Sequence, residues 1–151
     1  LIAAYSLEQG LQDFYRLTAD KVREPKAREL FELLAGIEDR HKDRIFEQYR
    51  TAVDDPLDRE AFESRVVADF VEGGLTTKEY FQRFRVDMES RTDILDMAMT
   101  IEAQALDLYR RAEDRFNDRE LSAFFLELCG EEREHLSRLS QLMEDIADDG
   151  A

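Results

Sequence analysis

Both histidines of the chain stand three residues after a glutamate, in Glu38-Asp-Arg-His41 and Glu132-Arg-Glu-His135. On a helix, residues three apart share a face, so each pair aims a carboxylate and an imidazole at one point. Glu8 and Glu102 join them by position. All six residues fall where the three-and-four spacing of apolar residues calls for Leu or Ala. Four carboxylates facing one another in a bundle interior meet desolvation and mutual repulsion, and a buried ion without a partner costs at least several kcal/mol. No Lys or Arg falls on the same stripes. Metal supplies the missing charge most simply: two divalent ions balance four glutamates, and neutral imidazoles add ligands without altering that balance. The alternative, a buried polar network without metal, leaves a half-paired acidic cluster that destabilises its own bundle.

The elements that must position these groups follow from the apolar spacing, which reads as four long helices. The first, about residues 2–23, carries Ala4, Glu8, Leu11, Tyr15, Thr18 and Val22 on one stripe. The second opens at Pro25, a residue suited to a first helical turn, and shows Phe31, Leu34, Glu38, His41, Ile45 and Gln48. The third begins near Thr92 or Asp93, with Leu95, Ala98, Glu102, Ala105, Tyr109, Ala112 and Phe116. After Asn117 and Asp118, the fourth carries Leu121, Phe125, Leu128, Glu132, His135, Leu139, Leu142 and Ile146. Short connections make each successive pair an antiparallel hairpin. The expected organisation is one domain over residues 1–151, with hairpins at about 2–53 and 92–147 and a crossover at about 54–91. Phe62, Val66, Phe70, Tyr80, Phe81 and Phe84 make the crossover two short helices packed on the bundle. They are broken at Gly73 and Gly74, and Thr76 with Glu79 forms a capping box for the second.

The hairpins are copies of one unit. A shift of 94 residues without a gap matches 15 of 57 positions, pairing Glu8 with Glu102, Tyr15 with Tyr109, Glu38 with Glu132 and His41 with His135. Fold and chemistry therefore repeat together. A Glu from each of two helices, with a Glu-x-x-His pair from each of the other two, builds a di-iron or di-manganese site in a four-helix bundle. Carboxylate and imidazole together suit Fe or Mn better than Cu(I) and leave Zn open.

Composition narrows the partners. With 43% apolar residues and only 6 Gly and 2 Pro, the chain can bury a core of long helices. A formal charge of -15 disfavours nucleic acid and anionic membranes as partners. No apolar run approaches the roughly 20 residues of a membrane span. The lone Cys129 excludes an intrachain disulfide framework and any cysteine-rich metal site, as expected of a reducing cytoplasm. No signal peptide is visible, although the sequence starts at Leu1 rather than Met. Cys129 aligns with Ala35 and reads as a small core residue. Met88, Met97, Met99 and Met143 read as packing residues rather than haem ligands. Glu131 has three readings: a solvated helix face, a group orienting an imidazole, or an additional carboxylate ligand.

The pattern Glu8, Glu38-x-x-His41, Glu102, Glu132-x-x-His135 resembles the ferritin-like di-iron carboxylate superfamily, and within it the rubrerythrin and bacterioferritin branch. The resemblance covers nearly the whole chain and is least specific in the crossover. It implies an all-α, ferritin-like antiparallel four-helix bundle made of two repeated helical hairpins joined by a long helical crossover. It also implies two metal ions, Fe first and Mn or Zn as alternatives, with Glu38 and Glu132 bridging them. Glu8 with His41 would then cap one metal and Glu102 with His135 the other, while Tyr15 and Tyr109 hydrogen-bond facing carboxylates. Two departures stand out. The chain lacks the cysteines of a rubredoxin-like domain, so electrons come from an external donor. Ala105 also stands where typical rubrerythrins carry a further glutamate, which removes the residue behind their ligand exchange and efficient peroxide reduction.

The function implied is a di-iron oxidase or peroxidase reacting with O2 or H2O2, expected as a homodimer, in oxidative-stress defence or iron homeostasis. The alternative is a ferroxidase subunit of an iron-storage assembly, which fits a long helical crossover less well. A metal-free helical interaction module conflicts with the charged core.

Overall fold

The computed structural model of the protein describes residues 1–53, 57–73, 87 and 89–149. Its elements are α1 (Ile2–Lys21), α2 (Pro25–Ala52), α3 (Arg59–Gly73), α4 (Arg91–Arg115) and α5 (Arg119–Asp149), and no strand occurs among the described residues. The protein is an all-α bundle. α1 packs along α2 and α4 along α5, and the two hairpins meet through α1 with α4 and α2 with α5. Buried Leu11, Phe14, Leu34, Ile45, Leu95, Leu128 and Leu139 fill the space between them.

Local chemistry sets the helix ends. α1 stops at Lys21, two residues before the expected end, with Val22 already extended, and proline excludes the residue before it from helical backbone. Glu24 is accordingly extended, and Pro25 starts α2 in the first turn, where no amide donor is needed. α4 starts earlier than expected. Ser90 caps it by accepting from the Asp93 amide at 3.2 Å, while its hydroxyl donates to Asp93 at 2.8 Å. The Asp118 carboxylate accepts from the amides of Glu120 and Leu121, both at 2.9 Å, and so opens α5.

Two stripe assignments shift at their ends. Gln48 is only half-buried and Tyr49 takes the core position, since a 3.6-residue helix drifts away from strict three-and-four spacing. Phe116 lies beyond the last turn of α4, is 41% exposed, and stacks on Phe125 at 5.9 Å. The first half of the crossover is helical, as α3. Fully buried Phe62 sets its ring 4.9 Å from Tyr5, 5.2 Å from Phe46 and 4.6 Å from Tyr49, which docks α3 on the first hairpin. Gly74, the Thr76–Glu79 capping box, Tyr80, Phe81, Phe84 and Met88 lie outside the described residues. No described helix is long and apolar enough to cross a membrane.

Candidate metal centre

The two hairpins converge on one buried cluster. Glu8 comes from α1, Glu38 and His41 from α2, Glu102 from α4, and Glu132 and His135 from α5. The four carboxylates are 0% exposed, His41 1% and His135 2%, so bulk water screens none of their charges. Their ligand atoms form two groups, Glu8–Glu38–His41–Glu132 and Glu38–Glu102–Glu132–His135, each within 4.8 Å. Glu38 and Glu132 belong to both.

Each imidazole presents Nδ1 to three carboxylates. His41 Nδ1 lies 2.9 Å from Glu38, 3.2 Å from Glu132 and 3.4 Å from Glu8. His135 Nδ1 lies 3.2 Å from Glu38, 3.2 Å from Glu132 and 3.3 Å from Glu102. The rings stack 5.6 Å apart, 17° from parallel. The tyrosines complete the pseudo-twofold pattern across the hairpins: Tyr15 donates to Glu102, and Tyr109 donates to Glu8. Burial, with Glu102 close by, holds the Tyr15 phenol protonated well above its ordinary range, so it remains a donor.

Without metal, protons take up part of the charge. Burial, reinforced by the charges of Glu38 and Glu132, pushes the Glu8 carboxyl well above the usual range. Burial and the neighbouring Glu132 do the same to Glu102. Glu38 and Glu132 are also pushed up by burial, but the polar groups close against them outweigh it and hold both below the usual range, first His135 and His41 for Glu38, and Glu102 and His135 for Glu132. Burial disfavours both imidazolium ions, yet the surrounding carboxylates raise both histidines overall, His135 to about 12.

Protons do not satisfy the geometry. Both oxygens of Glu38, both of Glu132, Glu102 Oε2 and His135 Nδ1 are buried without a hydrogen bond of acceptable geometry, although imidazole and carboxylate atoms lie close by. One proton on Nδ1 points at one oxygen, whereas a cation between the groups meets all of them. Among the described residues no Lys or Arg pairs with the four glutamates. Lys42, the one buried cation among them, is turned instead to Gln9 at 2.8 Å and Asp39 at 3.5 Å. The donor set is therefore all oxygen and imidazole nitrogen, acidic and orphaned, and it fits divalent metal.

Glu131 stands outside both groups. Its Oε2 lies 2.7 Å from His41 Nε2, and its Oε1 accepts from Arg44 at 2.7 Å. Of the three sequence readings, the geometry matches the group that orients an imidazole. The His41 hydrogen bond, helped by Arg44, holds its carboxyl at about 2. Sequence reasoning missed Arg44 and Glu127, whose 2.9 Å ion pair backs Glu131, because they lie on opposite helices with no common motif. Ala105 is fully buried and brings no further carboxylate, and Cys129 is a buried free thiol.

The rubrerythrin family model matches residues 93–150, which hold α5 and all but the first two residues of α4, with Glu102, Glu132 and His135. No curated protein and no solved structure matches the chain.

Proposed function

From a second hairpin that is rubrerythrin-like over residues 93–150, and a first hairpin that repeats its Glu and Glu-x-x-His pattern, we propose a di-iron redox protein. It reacts with O2 or H2O2 in oxidative-stress defence or iron homeostasis. The observation that carries this reading is the pair of overlapping ligand groups sharing Glu38 and Glu132. In it, Glu38 and Glu132 would hold both ions in common, Glu8 with His41 would hold one, and Glu102 with His135 would hold the other. Two such ions, when bound, would supply redox equivalents to one oxidant within a single site.

The chain's own residues prepare that site. Complete burial of the four carboxylates keeps bulk water away. Tyr15 and Tyr109 fix the capping carboxylates from across the bundle, each holding one oxygen and leaving the other for metal. The single cysteine among these residues cannot build a rubredoxin-type centre, so the electrons come from a donor outside residues 1–151. A cytoplasmic homodimer completes the proposal.

Metal analysis of protein purified without added metal tests the reading, with ultraviolet spectra before and after peroxide. Two irons per chain and a near-ultraviolet band that changes on oxidation are expected. Protein that stays metal-free after anaerobic Fe2+ loading overturns it. Sedimentation separates a dimer holding two irons per chain from a large particle holding many more, the behaviour of an iron-storage ferroxidase.

A further inference from the structure

The pseudo-twofold relation fails behind the two imidazoles. Behind His41, the Glu131 carboxylate lies 2.7 Å from Nε2 and is fixed on its other oxygen by Arg44 at 2.7 Å. Arg44 is itself held, 2.9 Å from Glu127 and with its guanidinium 5.5 Å from the Phe124 ring. A proton on Nε2 donated to Glu131 leaves the Nδ1 lone pair facing Glu8, Glu38 and Glu132, the tautomer a metal ligand needs. Among the described residues, no such support stands behind His135. The repeat puts Ile37 where Glu131 stands and Leu33 where Glu127 stands. Arg138, the copy of Arg44, pairs with Glu134 on its own helix at 3.0 Å. Among the described residues the polar contacts of His135 all run through Nδ1.

We infer that Glu131 is a positioning residue for His41 that makes the two metal positions unequal. A divalent cation fills the position of Glu8 and His41 before that of Glu102 and His135. The inference rests on the dimetal reading above and adds an order of filling to it. Each position draws on both shared glutamates and on one Glu–Tyr pair, and the carboxylate behind His41 is the added support that sets the order. Carboxylates behind a ligating imidazole commonly change metal affinity by about 10–100-fold.

Titration of the metal-free full chain with Co2+, followed by visible absorption and calorimetry, tests this. The wild type should take up two ions per chain in separate steps, the first at least about tenfold tighter. Glu131→Ala should weaken the first step by about 10–100-fold and leave the second in place, so that the steps converge. Glu131→Gln should fall between, because its amide oxygen still accepts from Nε2–H but carries no charge. Ile37→Glu leaves Glu131 intact and should tighten the second step. Circular dichroism checks that each variant folds, and if Glu131→Ala does not, Glu131→Gln and Ile37→Glu carry the test. Equal steps in the wild type, a Glu131 variant that weakens both steps alike or neither, or an unchanged second step in Ile37→Glu overturns the inference. Failure of the wild type to bind Co2+ at all defeats the dimetal reading instead.

Discussion

The phenol of Tyr15 in the first hairpin donates to the Glu102 carboxylate in the second, so each half of the bundle fixes a ligand candidate of the other. Tyr109 returns the bond to Glu8. Both tyrosines are fully buried, and removing a hydroxyl leaves a buried carboxylate oxygen without its donor. Tyr15→Phe or Tyr109→Phe should therefore cost about 1–3 kcal/mol in the metal-free protein, measured by urea unfolding. Each should also weaken metal at the position its tyrosine supports, Glu102 for Tyr15 and Glu8 for Tyr109. A loss under about 0.5 kcal/mol in both variants would show that these bonds add little to the bundle.

The shared and unshared ligands separate two kinds of variant. Glu38 and Glu132 lie in both ligand groups, while His41 and His135 lie in one each. Glu38→Ala or Glu132→Ala should abolish uptake at both positions, whereas His41→Ala or His135→Ala should leave one ion per chain. Mass spectrometry of the native protein counts the ions directly. Complete loss in all four variants would refute the division into bridging and capping ligands.

Much of this centre was legible in the sequence because charge on an apolar stripe is anomalous. Glu8, Glu38, His41, Glu102, Glu132 and His135 each interrupt a run of core residues, and the 94-residue shift made the anomaly occur twice. The fold was legible for the same reason, since two copies of one amphipathic hairpin must bury their faces against each other. What lay out of reach depends on pairings between helices. The Glu131–Arg44–Glu127 clamp joins α2 to α5 through exposed and half-buried charges, whose pattern looks like any solvated face. The start of α4 had a readable signal, since Ser90 and Asp93 have the spacing of a capping pair, but the apolar stripe alone begins later. Phe62 was legible as a packing position of the crossover, whereas its seat among Tyr5, Phe46 and Tyr49 depends on pairings between helices.

That docking gives a prediction independent of metal. Phe62 is completely buried against the rings of Tyr5, Phe46 and Tyr49 of the first hairpin, none of which is a ligand candidate. Phe62→Ala should cost about 3–5 kcal/mol through lost packing and the cavity left behind. Metal stoichiometry should stay unchanged under native conditions. A variant that keeps its stability, checked by thermal and urea unfolding, would mean that α3 is not anchored by this ring.

Metal removal should expose an unusual pH dependence. Burial and neighbouring charge raise Glu8 and Glu102 above the unfolded value of 4.5, and the surrounding carboxylates raise His41 and His135 above 6.5. Raised groups bind protons in the folded state that the unfolded chain has released. Their stabilisation is therefore complete below the unfolded values and is lost as pH rises through the folded ones. Glu38 and Glu132 are lowered and act in the opposite sense, but their contribution is present above 4.5 and lost only as pH falls through their folded values. Between about pH 5 and 8 the raised groups decide the slope, so the metal-free protein should lose stability as pH rises. Metal should reverse the trend, because ionised ligands bind it more tightly. Glu8→Gln combined with Glu102→Gln keeps the acceptors for Tyr109 and Tyr15 but removes the two raised carboxyls. This variant should show a shallower slope than the metal-free wild type and be at least as stable at pH 8. Urea unfolding of both proteins at steps from pH 5 to 8 measures it. A variant that is less stable at pH 8 and keeps the full slope would show that Glu8 and Glu102 are not repelled carboxylates, and would remove the electrostatic reason for metal at this site.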